Sequence, residues 1–364
     1  MSVKEYGYEY DAEIDKSIWE VSKGKVTYDT FQGAICLRSG RDALKTIARE
    51  YAPTRVILPA LACDSMVAPF ITYGHKIKYY KLDSNYSINM QHLRTLIEDK
   101  KEKVLFLYMD YFGKKAVDDT VLEKLRSDFP NLIFIEDRTH NLLEIRKDKF
   151  IPEYIVGSIR KWINIPDGGL LWSNVKLNNS LFSEDVLFSE TRLKAQCMRR
   201  EFLDSGNIEL KASYRKIFST VSDIIDQDIL PSRMSAYSYE ILKQVDVSMI
   251  RGRRRNNAQI LINELKKRKV KFIQCEAGKS DLYVAILVEN RNQLQKRLAE
   301  VGIFCTIIWP LSVEQRSVSD IAKYTEEHML AIYCDQRYTT EDMRYVVSRI
   351  MEFSDEEENN DIRC

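Results

Sequence analysis

The sequence predicts an α/β protein: a large three-layer α/β/α domain with a mainly parallel sheet, followed by a smaller α+β domain at the C-terminus. Between about residues 34 and 175, short apolar runs alternate with helical stretches. Those runs are continuously apolar instead of alternating with polar residues, which is the pattern of strands covered on both faces. Beyond Lys271 the pattern turns to a mixture of short strands and helices, and 364 residues are enough for both units. The division falls at 1–240 and 241–364.

The elements follow in order. Asp42 to Tyr51 is helical, and Arg55 to Pro59 is a strand stopped by its proline. Ser65 to Tyr73 is a helix closed by Gly74, and Lys76 to Leu82 is a strand. Ile88 to Lys100 is a helix, Val104 to Tyr108 a strand, and Asp118 to Phe129 a helix with Asp118 or Asp119 as its cap. Leu132 to Glu136, Tyr154 to Ser158 and Gly169 to Ser173 complete the strands of this half. Residues 176–230 are helical and charged, and Ser189 to Asn207, with Arg192, Lys194, Arg199 and Arg200, reads as a solvated helix and linker. Met234 to Lys267 is largely helical, with Arg251, Arg253, Arg254 and Arg255 on an exposed face. Strands at Lys271–Gln274, Tyr283–Val288 and Thr306–Trp309, and helices at Asn290–Val301 and Thr340–Phe353, make up the second unit, and the acidic tail from Ser354 is frayed.

Bulk composition narrows the function. Lys plus Arg number 55 against 54 Asp plus Glu, so the net charge of +1 offers no electrostatic case for nucleic acid or an anionic membrane. No apolar run is long enough to span a bilayer, and the polar, acidic first twenty residues do not read as a signal peptide. Seven scattered cysteines without a Cys-x-x-Cys pair fit a reducing cytoplasm, and four histidines show no metal-site spacing.

Chemistry concentrates at the ends of the predicted strands, where α/β sheets gather their ligands. Tyr154 to Gly157 leads into a loop with Lys161, ahead of Gly168-Gly169. A lysine at the exit of a buried strand is a candidate amine nucleophile, because desolvation lowers its pKa and frees the lone pair. The run 133–137 delivers Glu136 and Asp137 at a strand end, and alternation sends them to opposite sides. His140 follows three residues later. Arg38-Ser39-Gly40-Arg41-Asp42 is a polar turn opening a helix, whose exposed amides and positive end suit a phosphate. Pro59 to Ser65, which contains Cys63, and Tyr108 to Gly113 are further strand-end loops. A phosphate-binding helix start, an acid at a strand end and a lysine on a later loop form the kit for pyridoxal 5′-phosphate: the lysine holds the aldehyde, and the acid keeps the ring nitrogen protonated.

With these motifs in this order, the chain from about residue 33 to 353 resembles the DegT/DnrJ/EryC1 family of sugar aminotransferases, within the aspartate-aminotransferase-like superfamily of fold type I. The resembling segments are Ser39-Gly40-Arg41-Asp42-Ala43-Leu44, Leu58-Pro59-Ala60 through Gly74, Tyr111-Phe112-Gly113, Glu136-Asp137-Arg138-Thr139-His140, Lys161 with Gly168-Gly169, Arg233-Met234-Ser235, and Asp335-Gln336-Arg337-Tyr338-Thr339. The resemblance implies transfer of an amino group from glutamate to a keto group on a nucleotide-linked sugar, by a homodimer. It implies catalytic roles for Lys161, Asp137 and His140, with Ser39, Gly40, Arg41, Cys63 and Ser158 also at the cofactor. The chain departs from the family at Val156, where a phosphate-binding serine is common, and at Pro231, where asparagine is frequent. It also has Cys63 where an aromatic residue often covers the ring, which makes Tyr111 a candidate for that stacking. A lyase and a non-catalytic cofactor-binding protein remain as alternatives. A sugar dehydratase is disfavoured, because that branch replaces the lysine by histidine.

Overall fold

The apolar runs between residues 55 and 157 assemble into one sheet, in the computed structural model that describes residues 3–12, 31–97, 102–144, 149–178, 182–273 and 281–361. In chain order the strands are β1 (Tyr6–Gly7), β2 (Ile35–Leu37), β3 (Arg55–Pro59), β4 (Lys76–Tyr80), β5 (Val104–Met109), β6 (Leu132–Asp137), β7 (Tyr154–Gly157), β8 (Gly169–Ser173), β9 (Ser183–Glu184), β10 (Ser232–Arg233), β11 (Tyr283–Leu287), β12 (Ile303–Phe304) and β13 (Met329–Tyr333). The large sheet has nine strands in the order β4-β3-β5-β6-β7-β8-β2-β10-β9. From β4 to β7 every pairing is parallel, and β8 runs against both β7 and β2. All six residues of β5 are buried, as its unbroken apolar sequence requires of a central strand covered on both faces.

Register aligns the carboxyl ends of the three central strands. Met109 of β5 lies beside Asp137 of β6, which lies beside Val156 of β7. Residues paired across neighbouring strands share a face, so these three side chains form one row at the sheet edge. Two antiparallel pairings separate β2 from β7, so β2 runs in the direction of β7 and releases the Gly40–Glu50 helix at that same edge.

Several boundaries differ from the sequence reading. The predicted 88–100 helix is Met90–Leu96, capped by the Asn89 side chain, and positions 98–100 lie outside the described residues. The charged 176–230 region is a helical hairpin, Val186–Ser205 and Ile208–Gln227, broken at Gly206, whose φ of 76° is the left-handed turn that ends a helix. It is not a solvated linker: Arg192 and Arg199 are buried, where they meet Glu9 and Glu5 of the N-terminal segment. The Met234–Lys267 stretch divides into Ala236–Gln244 and Val247–Lys267. In the second unit, Lys271–Gln274 retains one bridge at Phe272, with Gln274 outside the described residues, and Thr306–Trp309 retains one bridge at Thr306. The last helix runs from Thr340 to Asp361, eight residues past its expected end, where fraying was expected.

A second hydrophobic cluster forms among residues beyond 257, joining Leu261 and Leu265 to Val284, Leu330, Val346 and Ile350. The N-terminal strand belongs with it, since β1 pairs with β12. That segment also carries Glu5, 5% exposed, between Arg199 at 2.5 Å and Lys211 at 2.7 Å. Burial alone would raise the carboxyl's pKa, but the two cations outweigh it and hold the pKa below its ordinary value. A depressed native pKa contributes stability above the unfolded value and loses it as pH falls through the native one. Glu5→Gln is therefore expected to lower stability at neutral pH and to narrow its gap to the wild type below about pH 4, as read by urea denaturation across pH.

Candidate active site

The strand-end row, the helix start and the lysine loop converge on one cleft. Its lining includes all eight sequence-predicted residues: Ser39, Gly40, Arg41, Cys63, Asp137, His140, Ser158 and Lys161. Glu136 points away from it toward Arg138, 3.8 Å distant, as strand alternation requires.

The helix start is shaped by its cap. The Ser39 side chain accepts from the Asp42 N–H at 3.1 Å and donates to the Asp42 carboxylate at 2.5 Å. The serine hydroxyl is thus occupied, and what this turn can offer a ligand is its backbone: the first N–H groups of a helix have no partner within it. Asp42 is itself fixed by Arg38, through bonds of 3.1 and 2.9 Å, in a fully buried pair. Gly169 lets the turn approach β8. Ser158 faces Gly40 from the other side, 3.5 Å from where a Cβ on Gly40 would stand.

Lys161 ends a short 3-10 turn, Ile159–Lys161, that follows β7. The turn is held from behind. Trp162 O accepts from Gln336 Nε2 at 3.0 Å and from Tyr10 Oη at 3.2 Å, and the Trp162 Nε1–H bonds to Thr139 O at 2.8 Å. Arg254 Nη2 reaches Lys161 O at 3.3 Å, and its guanidinium lies 4.8 Å over the Trp162 ring. Arg254 is 1% exposed, which corrects its placement on an exposed basic face. Its helix turns this arginine inward while Arg255, the next residue, is exposed.

Electrostatics follow from desolvation. Burial pushes the Lys161 ammonium pKa down, and the charges of Arg160 and Arg41 add to the effect, while Cys63 and Asp137 oppose it. Burial raises the Asp137 carboxyl, against hydrogen bonds from Thr139. One of these is the Thr139 N–H at 2.8 Å, so Asp137 serves its own turn while lining the cleft. Burial, with a smaller contribution from Lys161, lowers His140 to about 3, so its imidazole is neutral at physiological pH. The Ser158 N–H donates to Thr139 Oγ1 at 3.2 Å, tying the two strand-end loops together.

The stacking candidate is different from the one expected. Tyr111 is fully buried, donates to Leu61 O and is absent from the lining. The aromatic residue on the cleft is Trp309, whose ring centroid lies 5.5 Å from that of His140. It comes from the segment between β12 and β13, packed against the main hydrophobic core, and its only sequence signal was a tryptophan beside Pro310 at the end of an apolar run. Arg160, Thr139, Met109 and Ile225 also line the cleft and were not singled out as site residues. Asp110 is structural, accepting from Ala116 N at 2.8 Å and from Asn141 Nδ2 at 3.2 Å.

No family model and no curated protein matches this sequence. Solved structures do. The PLP form of the putative sugar aminotransferase Spr1654 from Streptococcus pneumoniae is 14% identical, with a TM-score of 0.64 over 98% of this chain and 99% of that one. PseC from Helicobacter pylori, an aminotransferase involved in the biosynthesis of pseudoaminic acid, is 15% identical, with a TM-score of 0.63 over 96% and 99%. A DegT DnrJ EryC1 StrS aminotransferase from Brucella abortus is 15% identical, with a TM-score of 0.60 over 90% and 87%. At these identities the likeness is one of fold, and the chain has the fold of the type I PLP-dependent aminotransferases.

Proposed function

We propose that this chain is a pyridoxal 5′-phosphate-dependent aminotransferase that moves an amino group, with glutamate as donor, to a keto group on a nucleotide-linked sugar. The observation that carries this reading is the meeting of Lys161, Asp137 and the Gly40–Glu50 helix start in one cleft. The residues present fit the cofactor. The backbone N–H groups of Gly40 and Arg41, with the Ser158 hydroxyl, suit a phosphate. A desolvated lysine suits an aldehyde, and a buried carboxylate suits a protonated ring nitrogen, since that cation would relieve the burial now raising its pKa. The cofactor, when bound, supplies the electron sink for chemistry at the substrate carbon.

The chain's own groups do the rest. Lys161 is the amine that would hold the cofactor's aldehyde, and the same amine, when free, would serve as the general base that carries the proton at the substrate carbon. Its depressed pKa leaves a larger share of the amine unprotonated for both tasks. Asp137 would hold the ring nitrogen, neutral His140 would orient the ring through its oxygen, and Trp309 and Cys63, which line the cleft, would bound the ring. The fold shared with sugar aminotransferases supports the sugar acceptor. A homodimer is supported by exposed Ile224, Ile229 and Leu230, close in sequence to cleft-lining Ile225. The described cysteines, Cys36, Cys63, Cys197, Cys305 and Cys334, form no disulfide with one another, in keeping with the cytoplasm. Among the described residues, no helix is long and apolar enough to cross a membrane.

The test is the visible spectrum of the purified protein with pyridoxal phosphate, before and after glutamate. A transaminase shows the band of lysine-bound cofactor and loses it on addition of the donor. A band that ignores glutamate and every other amino acid would instead favour a silent binder.

A further inference from the structure

Arg160 is the cation that the cofactor site does not absorb. It precedes Lys161 in the 3-10 turn and lines the cleft. Its backbone N–H is spent on Gly168 O at 3.4 Å, but its side chain is barely committed. The nearest carboxylate is Glu9, with Arg160 Nη1 3.8 Å from Glu9 Oε1, beyond hydrogen-bond reach. The other Glu9 oxygen is taken by Arg192 at 2.8 Å. Arg160 Nε is buried and meets no acceptor among the described residues.

A guanidinium carries five donors in a flat fork that matches a carboxylate, and a buried donor without an acceptor costs free energy that a ligand can restore. The local charge balance agrees: burial and neighbouring Arg192, only partly offset by Glu9, bring the Arg160 pKa down to about 10. The cleft therefore holds a second anion-seeking group, distinct from the backbone cradle formed by Gly40 and Arg41 and adjacent in sequence to the amine that does the chemistry. A carboxylate attached to the carbon on which Lys161 acts has to lie beside Lys161.

We propose that Arg160 docks a carboxylate of the amino-acid donor, with Glu9 as the positioning residue that steers its guanidinium without consuming its donors. The proposal rests on the aminotransferase reading and narrows the donor to a carboxylate-bearing amine.

The test compares wild type, Arg160→Gln and Arg160→Lys, each checked for an unchanged melting profile. Three quantities are read: affinity for pyridoxal phosphate, the glutamate concentration that half-saturates single-turnover bleaching, and binding of glutarate, followed by the fluorescence of Trp309 and the other tryptophans. Glutarate has carboxylates but no amine to transfer. We expect Arg160→Gln to weaken glutamate and glutarate at least about tenfold, to leave cofactor affinity within about threefold, and to erase the preference for glutamate over its α-amide, with Arg160→Lys in between. Weakened cofactor binding with unchanged glutarate affinity would overturn the proposal and assign Arg160 to the phosphate. No change in any quantity would overturn it in favour of a structural ion pair with Glu9. A wild type that binds glutarate through Arg160 yet shows no cofactor band would uphold the carboxylate site while the aminotransferase reading fails. A wild type that does not bind glutarate would sink the proposal whatever the band does.

Discussion

Lys161→Ala is expected to lose the covalent attachment of pyridoxal phosphate and to slow turnover by at least about 10³-fold, because the proposed function gives one amine both the cofactor link and the proton transfer. Borohydride reduction followed by mass spectrometry of the Lys161 peptide reads the first effect, and amino transfer from glutamate reads the second. The fold should survive, since among the described residues the amine makes no hydrogen bond and meets Cys63 and Asp137 only through their charge. The loop is held instead by main-chain atoms, through Arg254, Gln336 and Tyr10 at Lys161 O and Trp162 O. Exogenous amines such as methylamine are expected to restore part of the proton transfer. A variant that keeps full activity and a reducible peptide adduct elsewhere would remove Lys161 from the mechanism.

Gly169→Ala is expected to have the second large effect, through the backbone. A Cβ there would overlap the Ser39 carbonyl group and stand 2.6 Å from the Gly40 nitrogen. Both obstacles are main chain, so the helix start would have to move away from β8, and the amides that suit the phosphate would move with it. A cost of about 1–3 kcal/mol is typical of such overpacking. The expected readings are a lower melting temperature and a cofactor affinity weakened at least about tenfold, since even a small displacement of several charge-assisted donors is felt together. Gly168→Ala is the control. Its Cβ would meet side chains and not main chain, the Ile159 Cγ2 methyl at 2.6 Å and Ile165 Cδ1 at 2.9 Å, so the strain falls on apolar packing away from the Ser39–Gly40 main chain and its effect on cofactor affinity should be clearly smaller. Equal effects from the two variants would mean that the close approach at Gly169 does not set the cradle.

The family resemblance rested on short motifs, and the structure brings several of them to one place. Lys161, Asp137 and the Gly40 turn each stand where a strand or its successor loop reaches the same sheet edge, and Gly169 keeps two of those elements in contact. The late Asp335-Gln336-Arg337 segment makes no contribution to the cleft lining. Gln336 instead accepts from Arg254 Nε at 2.8 Å and donates to Trp162 O at 3.0 Å, so its place is behind the lysine loop. Likewise Ser235, which donates to Asp167 Oδ1 at 2.6 Å, anchors the segment leading to the double glycine.

By itself the sequence determined the local and periodic features. Continuous apolar runs such as Val104–Tyr108 specify strands buried on both faces, because they are too short for a buried helix and a strand between neighbours pairs its backbone while hiding every side chain. Strand ends and helix starts carry their own chemistry, which is why Asp137, Lys161 and the Ser39-Gly40-Arg41 turn stood out as candidates, although only the set of them in order pointed to a cofactor. Only the tertiary structure decided what depends on long-range packing. Charge patterning placed Arg192, Arg199 and Arg254 on solvated helix faces, but acidic and carbonyl partners from distant segments make their burial tolerable. The aromatic wall of the cleft passed from Tyr111 to Trp309 for the same reason: which ring borders a pocket is set by how segments far apart in sequence pack together, and no local pattern encodes that. Arg160 stood beside the lysine in plain sequence, yet its unspent donors became visible only once Glu9, some 150 residues earlier, was seen to be held by Arg192.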